Sequence, residues 1–445
     1  MGLRRNLLPR YISIAAVLFA VGIWPALASD SGGQQANAVA LSEIENAKSL
    51  IGAGRLDEAK AALKVLAASQ PDNPQVSFLL GIVAMLDKDY ESAIGHFRSI
   101  LVDKPDAERV RLELARAYYL KGDYDASARE FRFARAGDVP PTVAENIDRY
   151  LAAMRELRDW SYNLSFAVAP DSNINAAPSI RQIDLFGLPF LLSDDARRAS
   201  GLGLALDAGG EWSPVVADGL KLRAGVQTHR LEYSNDSFDD MTISAYAGPR
   251  FSFGRTNISV LMIGFRRWFA SELYEEGRGG RLEFNWYPTA RWQLATSAEA
   301  QSVTYPGRSS MNGPVSSFNV SVSYSLTPSS AMRALGGFVH QDAESAVYTN
   351  NARQLAVGYY QEFPAGFSAY VEPGYFWSDF QAPYGIFGVT RRDRTFTSRI
   401  DVMNRRIDVF GFSPRLSYIY TRQRSTIELF DYDRNRFEVA VTKSF

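Results

Sequence analysis

From Trp160 onward, the apolar residues of this chain recur at every second position, and this period restricts the possible folds more than any other feature. The segment "WSYNLSFAV", residues 160–168, alternates large apolar side chains with small polar ones, and "SSFNVSVSYSL", residues 316–326, repeats the pattern. A period of two is that of a β-strand whose two faces meet different surroundings. Counting such segments predicts about fourteen strands of roughly ten to fifteen residues each.

The strand lengths and connections predict an outer-membrane barrel rather than a soluble sandwich. Sandwich strands are usually about five or six residues long, and a soluble sheet rarely carries so many aromatic residues on one face. Short and long connections that alternate between an even number of strands are typical of a transmembrane antiparallel β-barrel, whose short turns are periplasmic. The connections predicted to be long are residues 170–199, 271–277, 306–313, 342–351 and 381–388.

The segment "NRFEVAVTKSF", residues 435–445, is predicted to be the last barrel strand. It is expected to pair with residues 160–168, because an unpaired sheet edge is not tolerated in lipid. Phe437, Val439 and Val441 are expected to face lipid. A terminal aromatic residue also resembles the signal that the barrel-assembly machinery reads, so Phe437, Val439, Val441 and Phe445 are expected to form an insertion signal.

Residues 41–158 carry a helical repeat instead. Apolar positions follow the helical spacing there, and Leu56, Tyr90 and Tyr124 recur at the 34-residue period of tetratricopeptide repeats. We predict three repeats, followed by a capping helix over residues 141–157. The repeat register predicts a client-binding groove lined by Phe78, Ile82, Met85, Arg109, Leu112, Arg116 and Tyr119. The alternative is that the capping helix itself fills this groove.

The N-terminus has the features of a secretory signal. Arg4, Arg5 and Arg10 precede a short apolar stretch and the small-residue pattern "ALA", which predicts cleavage between Ala28 and Ser29. The expected organisation is therefore α+β and multidomain. A signal peptide (1–28) and a linker (29–40) precede a periplasmic tetratricopeptide-repeat domain (41–158) and an outer-membrane β-barrel (159–445).

Composition argues against several functions. A net charge of −1 gives no electrostatic reason to expect nucleic acid as a partner. The absence of cysteine and the wide separation of the three histidines argue against metal sites, and no cofactor or catalytic constellation is expected. A barrel hydrolase is the enzyme alternative, and it would have to use His229 or His340.

Charged residues on the lumen parity are expected to bridge the barrel interior. They carry both signs, which suits arginine–carboxylate pairs better than a single-sign selectivity ring. Arg391, Arg392 and Arg394 are expected either to line the lumen or to meet lipopolysaccharide phosphate. The glycines of "GLGLALDAGG", residues 201–210, either ease opening near the first strand or relieve strand curvature. The expected lumen residues are Lys221, Arg223, Arg281, Glu283, Glu299, Arg399, Asp401 and Arg415.

The string "PDSNIN" directly follows the first predicted strand. Its residues are Pro170, Asp171, Ser172, Asn173, Ile174 and Asn175, most of which form turns through their own side chains. Together with the signal, the few repeats and about fourteen strands, this motif resembles the surface lipoprotein assembly modifier family. The resemblance covers essentially the whole mature chain.

That resemblance implies a function in protein transport. It implies an outer-membrane translocon that delivers particular lipoproteins or secreted proteins from the periplasm to the cell surface. The helical repeats would engage the client or a periplasmic chaperone, and the barrel would supply the route. The barrel-assembly machinery and outer-membrane lipid are the other expected partners. The alternative is a polysaccharide exporter, another architecture that joins helical repeats to a barrel.

Overall fold

The computed structural model describes residues 33–157, 159–185, 188–193, 196–404, 406–407 and 412–444. The predicted cleavage residues Ala28 and Ser29 and the terminal Phe445 lie outside the described residues. The described residues up to His96 form one compact unit, and those from Phe97 onward form a second.

Seven helices occupy the part of the chain from residue 33 to residue 157. The pairs α1–α2, α3–α4 and α5–α6 correspond to the three predicted repeats, and α7 corresponds to the predicted capping helix. None of these described helices is long and apolar enough to cross a membrane. Their bounds are α1 Gly33–Gly52, α2 Leu56–Ser69, α3 Pro74–Leu86, α4 Tyr90–Asp103, α5 Glu108–Lys121, α6 Tyr124–Ala136 and α7 Pro141–Leu157.

Local residues define where these helices begin and end. Asn73 caps α3 by accepting a hydrogen bond from the Gln75 amide at 2.9 Å. Gly122 ends α5 with a φ of 92°, a left-handed conformation that glycine adopts without steric cost. In the first unit the apolar faces of α1, α2 and α3 share one core: Ile44, Ala47, Ile51, Ala59, Leu63, Leu66, Val76, Leu79 and Val83.

Fourteen long strands follow, together with three short ones. A small hairpin (β2 Gln182–Leu185, β3 Leu188–Leu191) lies in the first loop, and β5 (Val215–Ala217) extends one turn. The long strands are β1 Trp160–Asp171, β4 Gly201–Trp212, β6 Leu220–Tyr233, β7 Asp240–Phe253, β8 Thr256–Phe269, β9 Glu272–Trp286, β10 Trp292–Thr304, β11 Gly313–Thr327, β12 Ser330–Gln341, β13 Asn350–Glu362, β14 Phe367–Pro383, β15 Thr390–Asn404, β16 Ser413–Ser425 and β17 Tyr432–Ser444.

The long strands close into one antiparallel barrel. Each pairs with its neighbour along the chain, and β1 pairs with both β4 and β17. Phe166 lies opposite Val441, and Val168 lies opposite Val439. The predicted pairing of the last strand with the first is therefore confirmed, as is the barrel of about fourteen strands.

The two faces of the barrel differ as the alternating pattern predicts. On β17, Phe437 and Val439 are 53% and 58% exposed, whereas Glu438 and Ala440 are 7% and 1% exposed. Exposed apolar residues of one parity recur on the other strands, so the outer surface is apolar and the lumen is polar.

The connections between the long strands lie at the two ends of the barrel. At one end, called the turn end, the described connecting residues are 213–219, 254–255, 287–291, 328–329, 363–366, 406–407 and 412. At the other, called the loop end, they are 172–185, 188–193, 196–200, 234–239, 270–271, 305–312, 342–349, 384–389 and 426–431.

One predicted long loop is wrong. The structure continues β9 from Glu272, so only Ala270 and Ser271 connect β8 to β9. The polarity that indicated a loop instead belongs to cross-strand ion pairs, of which Arg266–Glu276 at 2.9 Å is one.

Candidate functional site

A helical cap, residues 103–157, lies against the turn end of the barrel. It contacts four turns and the last residue of β13 through polar side chains. Arg291 reaches the last carbonyl oxygens of α6, where the helix dipole favours a cation. The contacts are Arg255–Asp148 at 3.1 Å, Arg291 to the Arg135 carbonyl at 3.1 Å, Ser329–Asp106 at 2.6 Å, Glu362–Arg111, and Arg406–Asp103 at 2.7 Å.

Arg111 is the buried anchor of this cap. Its side chain is 1% exposed and forms ion pairs with Glu130 of α6 and with Glu362 at the end of β13. Its Nε donates to the Pro105 carbonyl at 2.9 Å. Burial alone would lower the pKa of the Arg111 guanidinium, but the two carboxylates outweigh burial and raise it. Removing one member of such a set leaves an uncompensated buried charge and costs about 3–5 kcal/mol.

Glu130 is a buried carboxylate that lies beside two arginines, Arg111 and Arg129. Burial alone would raise the pKa of the Glu130 carboxyl, but the charges of Arg111 and Arg129 outweigh burial and hold it below its ordinary value. The carboxyl is therefore ionised at neutral pH, and the anchor is a charged network rather than a neutral one.

The predicted groove residues occupy different surroundings. In the second unit, Leu112 and Tyr119 pack on the cluster that contains Ile147 and Leu151 of α7, and the Tyr119 ring meets Tyr150 edge-on at 5.0 Å. In that unit Arg116 pairs with Glu113 at 2.9 Å, and Arg109 is exposed. In the first unit Ile82 packs on the core, and Phe78 and Met85 are half-buried.

Arginine–carboxylate bridges cross the lumen. Arg223 of β6 pairs with Glu211 at 2.7 Å and with Glu283 at 2.6 Å, so it joins β4 to β9. Arg281 lies 2.7 Å from Glu299 and 3.7 Å from Glu283. A separate pair, Arg399–Asp401 at 2.8 Å, lies on β15. Lys221 and Arg415 also lie on lumen-parity positions of their strands.

These bridges leave limited free space. A lumen cavity of about 600 Å³ is lined by side chains that include Arg223, Glu283, Asn319 and Gln354. Cavities of roughly 300–1,000 Å³ suit small molecules. This cavity is therefore far smaller than a folded protein domain.

The "PDSNIN" motif forms a buried polar cluster where the first strand meets the last. This seam cluster consists of Asp171, Ser172, Asn173, Tyr233 and Arg434. The Asp171 side chain is fully buried, and it accepts hydrogen bonds from Arg434 Nε at 2.8 Å and from the Tyr233 hydroxyl at 3.1 Å. Its other oxygen accepts from the Asn173 amide at 2.9 Å. One carboxylate thus joins β1 to β6 and β17.

The seam cluster supplies hydrogen bonds between the first and last strands where their regular backbone pairing is interrupted. Pro170 has no N–H to donate, and the β1–β17 pairing passes from Val168–Val439 to Asp171–Arg436 without the two residues between. The Ser172 amide then donates to the Asn435 carbonyl at 2.9 Å, and the Asn435 amide donates to Ser172 Oγ at 2.8 Å. Side chains therefore continue the hydrogen bonding of the seam beyond the strand.

Asn173 and Asn175 fix the chain that leaves β1. Asn173 is 0% exposed, and its amide group donates to the Asp433 carbonyl at 3.1 Å and to the Ala177 carbonyl at 2.9 Å. Asn175 accepts from the Ala199 amide at 3.1 Å, which holds the two ends of the long first loop together. Each motif amide therefore has a defined structural partner.

The glycines of β4 make room for this cluster. A Cβ on Gly203 would lie 2.9 Å from the Tyr233 ring, and one on Gly201 would lie 3.2 Å from Ile174. Ile174 packs on small lumen residues that include Ala167, Ala205 and Ala440. Close approach of neighbouring side chains therefore explains these two glycines.

The three arginines at the start of β15 divide between the two faces. Arg391 shares the lumen parity, pairs with Asp393 at 2.6 Å and lies over the Phe430 ring at 3.6 Å. Arg392 and Arg394 share the outward parity of Phe396. The alternation of the sequence alone did not decide which face each arginine occupies. The strand register places Arg391 in the lumen and Arg392 and Arg394 on the outward face.

The two barrel histidines are also on different faces. His229 faces the lumen, where its Nδ1 lies 2.6 Å from Asp207. His340 lies beside Asn351 on the outward face. Within the described parts of the chain, no group of three or more acidic or histidine side chains is placed to hold a metal ion.

Comparisons with known proteins decide the family. The family model "Surface lipoprotein assembly modifier" matches residues 160–445, and a tetratricopeptide-repeat model matches residues 44–108. The first match spans well over half of the chain. The chain belongs to the surface lipoprotein assembly modifier family.

Individual relatives agree with this assignment. The chain is 28% identical to Surface lipoprotein assembly modifier 1 of Neisseria meningitidis serogroup B, over 85% of this chain and 78% of that protein. It is 20% identical to Hemophilin secretion modulator of Acinetobacter baumannii, over 84% and 79% of the two chains. The outer membrane channel DcaP of the same species is a similar solved structure, with a TM-score of 0.38, 10% identity and coverage of 64% and 96%.

As a member of this assembly modifier family, the chain is an outer-membrane protein, and the predicted localisation is confirmed. Sequence reasoning identified the family motif but not its partners Tyr233 and Arg434, because they lie far away along the chain. It also missed Arg111, although a signal was present: Arg111 lies one turn before the buried Leu114 and Ala115 of α5, where a charge is out of place.

Proposed function

We propose that this protein is a gated translocon that delivers specific lipoproteins or secreted proteins from the periplasm through the outer membrane to the cell surface. Its family membership supports this, as do the names of its relatives, which refer to surface lipoprotein assembly and to hemophilin secretion. The single observation that carries the gating is the helical cap on the turn end, directly beneath a polar lumen.

The lumen is the proposed route, because release of the cap leaves the backbone hydrogen bonds of the barrel intact, whereas opening the seam breaks them. Separating β1 from β17 would expose backbone hydrogen-bonding groups to lipid, at several kcal/mol for each unsatisfied group. Releasing the cap instead separates one buried anchor pair, Arg111–Glu362. It also breaks exposed pairs such as Arg406–Asp103, each worth about 0–1 kcal/mol, and water solvates the freed groups.

The helical repeats have the role of holding the client, or a chaperone that carries it. In the second unit Arg109 is the proposed contact, because Leu112 and Tyr119 pack on the cluster that contains α7. In the first unit Phe78 and Met85 are the proposed contacts. The protein acts without catalysis in this account. The barrel-assembly machinery inserts it, reading Phe437, Val439, Val441 and Phe445, and outer-membrane lipid surrounds the outward face.

Protease shaving of intact cells with and without the gene tests the function. A membrane-impermeant label identifies every protein on the surface, and we expect one or a few lipoproteins or secreted proteins to disappear without the gene and return with a plasmid copy. An identical set of surface proteins in both strains would refute the proposal.

A disulfide across the seam tests the route. The chain has no cysteine, and Ser165 lies directly opposite Thr442. Opposed residues in antiparallel strands have Cα atoms about 4.5–5.5 Å apart, within disulfide range. We expect a Ser165→Cys/Thr442→Cys barrel to deliver its client normally when oxidised. The control is Ser297→Cys/Asn319→Cys, another opposed lumen pair. Loss of delivery in the seam variant alone would show lateral opening.

A further inference from the structure

Five arginines form a rim on the outward face of β13, β15 and β16, at the loop end. They are Arg353, Arg392, Arg394, Arg422 and Arg424, called here the arginine rim. Each lies on the same parity as exposed apolar residues of its own strand, such as Leu355, Phe396 and Leu416, so the side chains leave the barrel on its lipid side.

The strand register brings these arginines together. Arg353 lies opposite Trp377, Trp377 lies opposite Arg394, and Arg394 lies opposite Arg424. One row across four neighbouring strands therefore reads Arg–Trp–Arg–Arg. Neighbouring strands are about 4.8 Å apart, so the row is about 14 Å wide.

Two aspartates neutralise only part of this charge. Arg394 lies 2.8 Å from Asp379, and Asp433 is shared between Arg424 at 3.2 Å and Arg422 at 3.8 Å. Among the described outward residues of these strands at the loop end, five positive charges face two negative ones. Like charges directly opposite each other destabilise a sheet, so an additional anion beside Arg394 and Arg424 would stabilise this pair further.

Outward arginines on the far side of the barrel have a different environment. On β6 Arg230 pairs with Glu232, and on β8 Arg266 pairs with Glu276 at 2.9 Å. Each has a carboxylate on its own or the next strand. These two arginines therefore have local counter-charges, whereas five arginines share two aspartates on β13 to β17.

The height of the rim identifies the kind of anion. The row just below it contains Leu355, Tyr375 and Phe396, which belong to the apolar belt. Aromatic residues mark the membrane–water interface of such barrels. Because the helical cap and the turn end are periplasmic, the arginine rim lies at the headgroup level of the outer leaflet.

We propose that the arginine rim binds the phosphate groups of an outer-leaflet glycolipid. Guanidinium groups bind phosphate oxygens through two parallel hydrogen bonds, which a planar, permanently charged side chain does better than lysine. The width of the row suits a headgroup with two phosphates, and Trp377 between the arginines contacts the apolar part of the lipid. This site does not depend on the identity of the client.

Native mass spectrometry of the full chain in non-ionic detergent tests the site, with diphosphoryl lipid A as the probe. We expect the wild type to retain the lipid and Arg394→Gln/Arg424→Gln to bind it about tenfold or more weakly, a loss that corresponds to about 1.4 kcal/mol or more. The matched control is Arg230→Gln/Arg266→Gln, which removes two outward arginines from the far side and should retain the lipid. Heat-modifiable migration on gels verifies that each variant is folded.

Two further measurements distinguish a lipid from free phosphate, and lipid binding from a purely structural role of the arginines. Inorganic phosphate at the same phosphate concentration should leave the bound lipid in place, and displacement by it would overturn the assignment to a lipid. Without lipid, Arg394→Gln/Arg424→Gln should be about as stable as the wild type, because removing two opposed like charges offsets the loss of their exposed pairs with Asp379 and Asp433. Equal lipid retention by both double variants, or loss of stability in lipid-free detergent, would also overturn the proposal.

Discussion

Truncation of Asp171 is the perturbation that most directly probes how the barrel closes. The Asp171 side chain is fully buried, while its partner Arg434 is 24% exposed. Asp171→Ala removes the acceptor for Arg434, for the Tyr233 hydroxyl and for the Asn173 amide. Breaking a buried pair in this way costs about 3–5 kcal/mol. Water can reach part of Arg434, so we expect a value near the lower end, about 3 kcal/mol.

Urea unfolding of the purified barrel in detergent measures this loss. With a slope of about 3 kcal/mol per molar urea, a loss of 3 kcal/mol lowers the unfolding midpoint by about 1 M. Arg434→Met in the Asp171→Ala background should recover part of the loss, because replacing both members of a buried pair is often nearly neutral. That non-additivity identifies the Asp171–Arg434 contact itself as the cause.

Glu232→Ala is the matched control for this experiment. It removes a carboxylate whose pair with Arg230 is nearly half exposed, and such pairs contribute about 0–1 kcal/mol. If Asp171→Ala lowers the midpoint no more than Glu232→Ala does, the seam cluster does not hold the first strand to the last.

Two further predictions concern the packing of Gly203 beside the seam cluster and the Arg111 anchor of the cap. Gly203→Ala should destabilise the barrel by about 1–3 kcal/mol, because its methyl group would lie 2.9 Å from the Tyr233 ring. Gly210→Ala, whose methyl group meets nothing closer than 3.8 Å, should not destabilise it; equal urea midpoints would contradict the packing argument. Acid should loosen the cap. The pKa of Glu130 is held below its ordinary value of 4.5, so the ionised carboxylate stabilises the cap fully above pH 4.5, and this stabilisation is lost as the pH falls through the lowered pKa. Limited proteolysis of the cap should accelerate below that pH in the wild type, and an unchanged rate would refute the role of Glu130.

Much of this fold is predictable because its two periods are local properties of the sequence. The 34-residue spacing of Leu56, Tyr90 and Tyr124 indicated the helix pairs, and alternation indicated the strands and their lipid-facing parity. The loop predicted over residues 271–277 was wrong because single-residue polarity does not distinguish a solvated loop from charges paired across two strands, as Arg266 and Glu276 are.

The functional contacts were less predictable because they join residues distant in sequence. Asp171 meets Arg434 and Tyr233 only after the barrel has closed, so the motif could be noticed but its role could not be inferred. Arg392 and Arg394 could be assigned to lipid only when the register was known. The cap meets the turns through isolated side chains and through helix-end carbonyls, which leave no pattern in the sequence.

The central claim is that the helical cap gates a route through the lumen. Asp106 and Ser329 touch at 2.6 Å, and the chain otherwise has no cysteine. Asp106→Cys/Ser329→Cys can therefore be joined by a short thiol reagent with a cleavable disulfide. The assay measures surface delivery, in intact cells, of the client that protease shaving identifies. Joining the two cysteines should stop this delivery, and a reductant should restore it. Each single-cysteine variant, treated in the same way, should deliver normally. Normal delivery with the cap joined to the barrel would contradict the account.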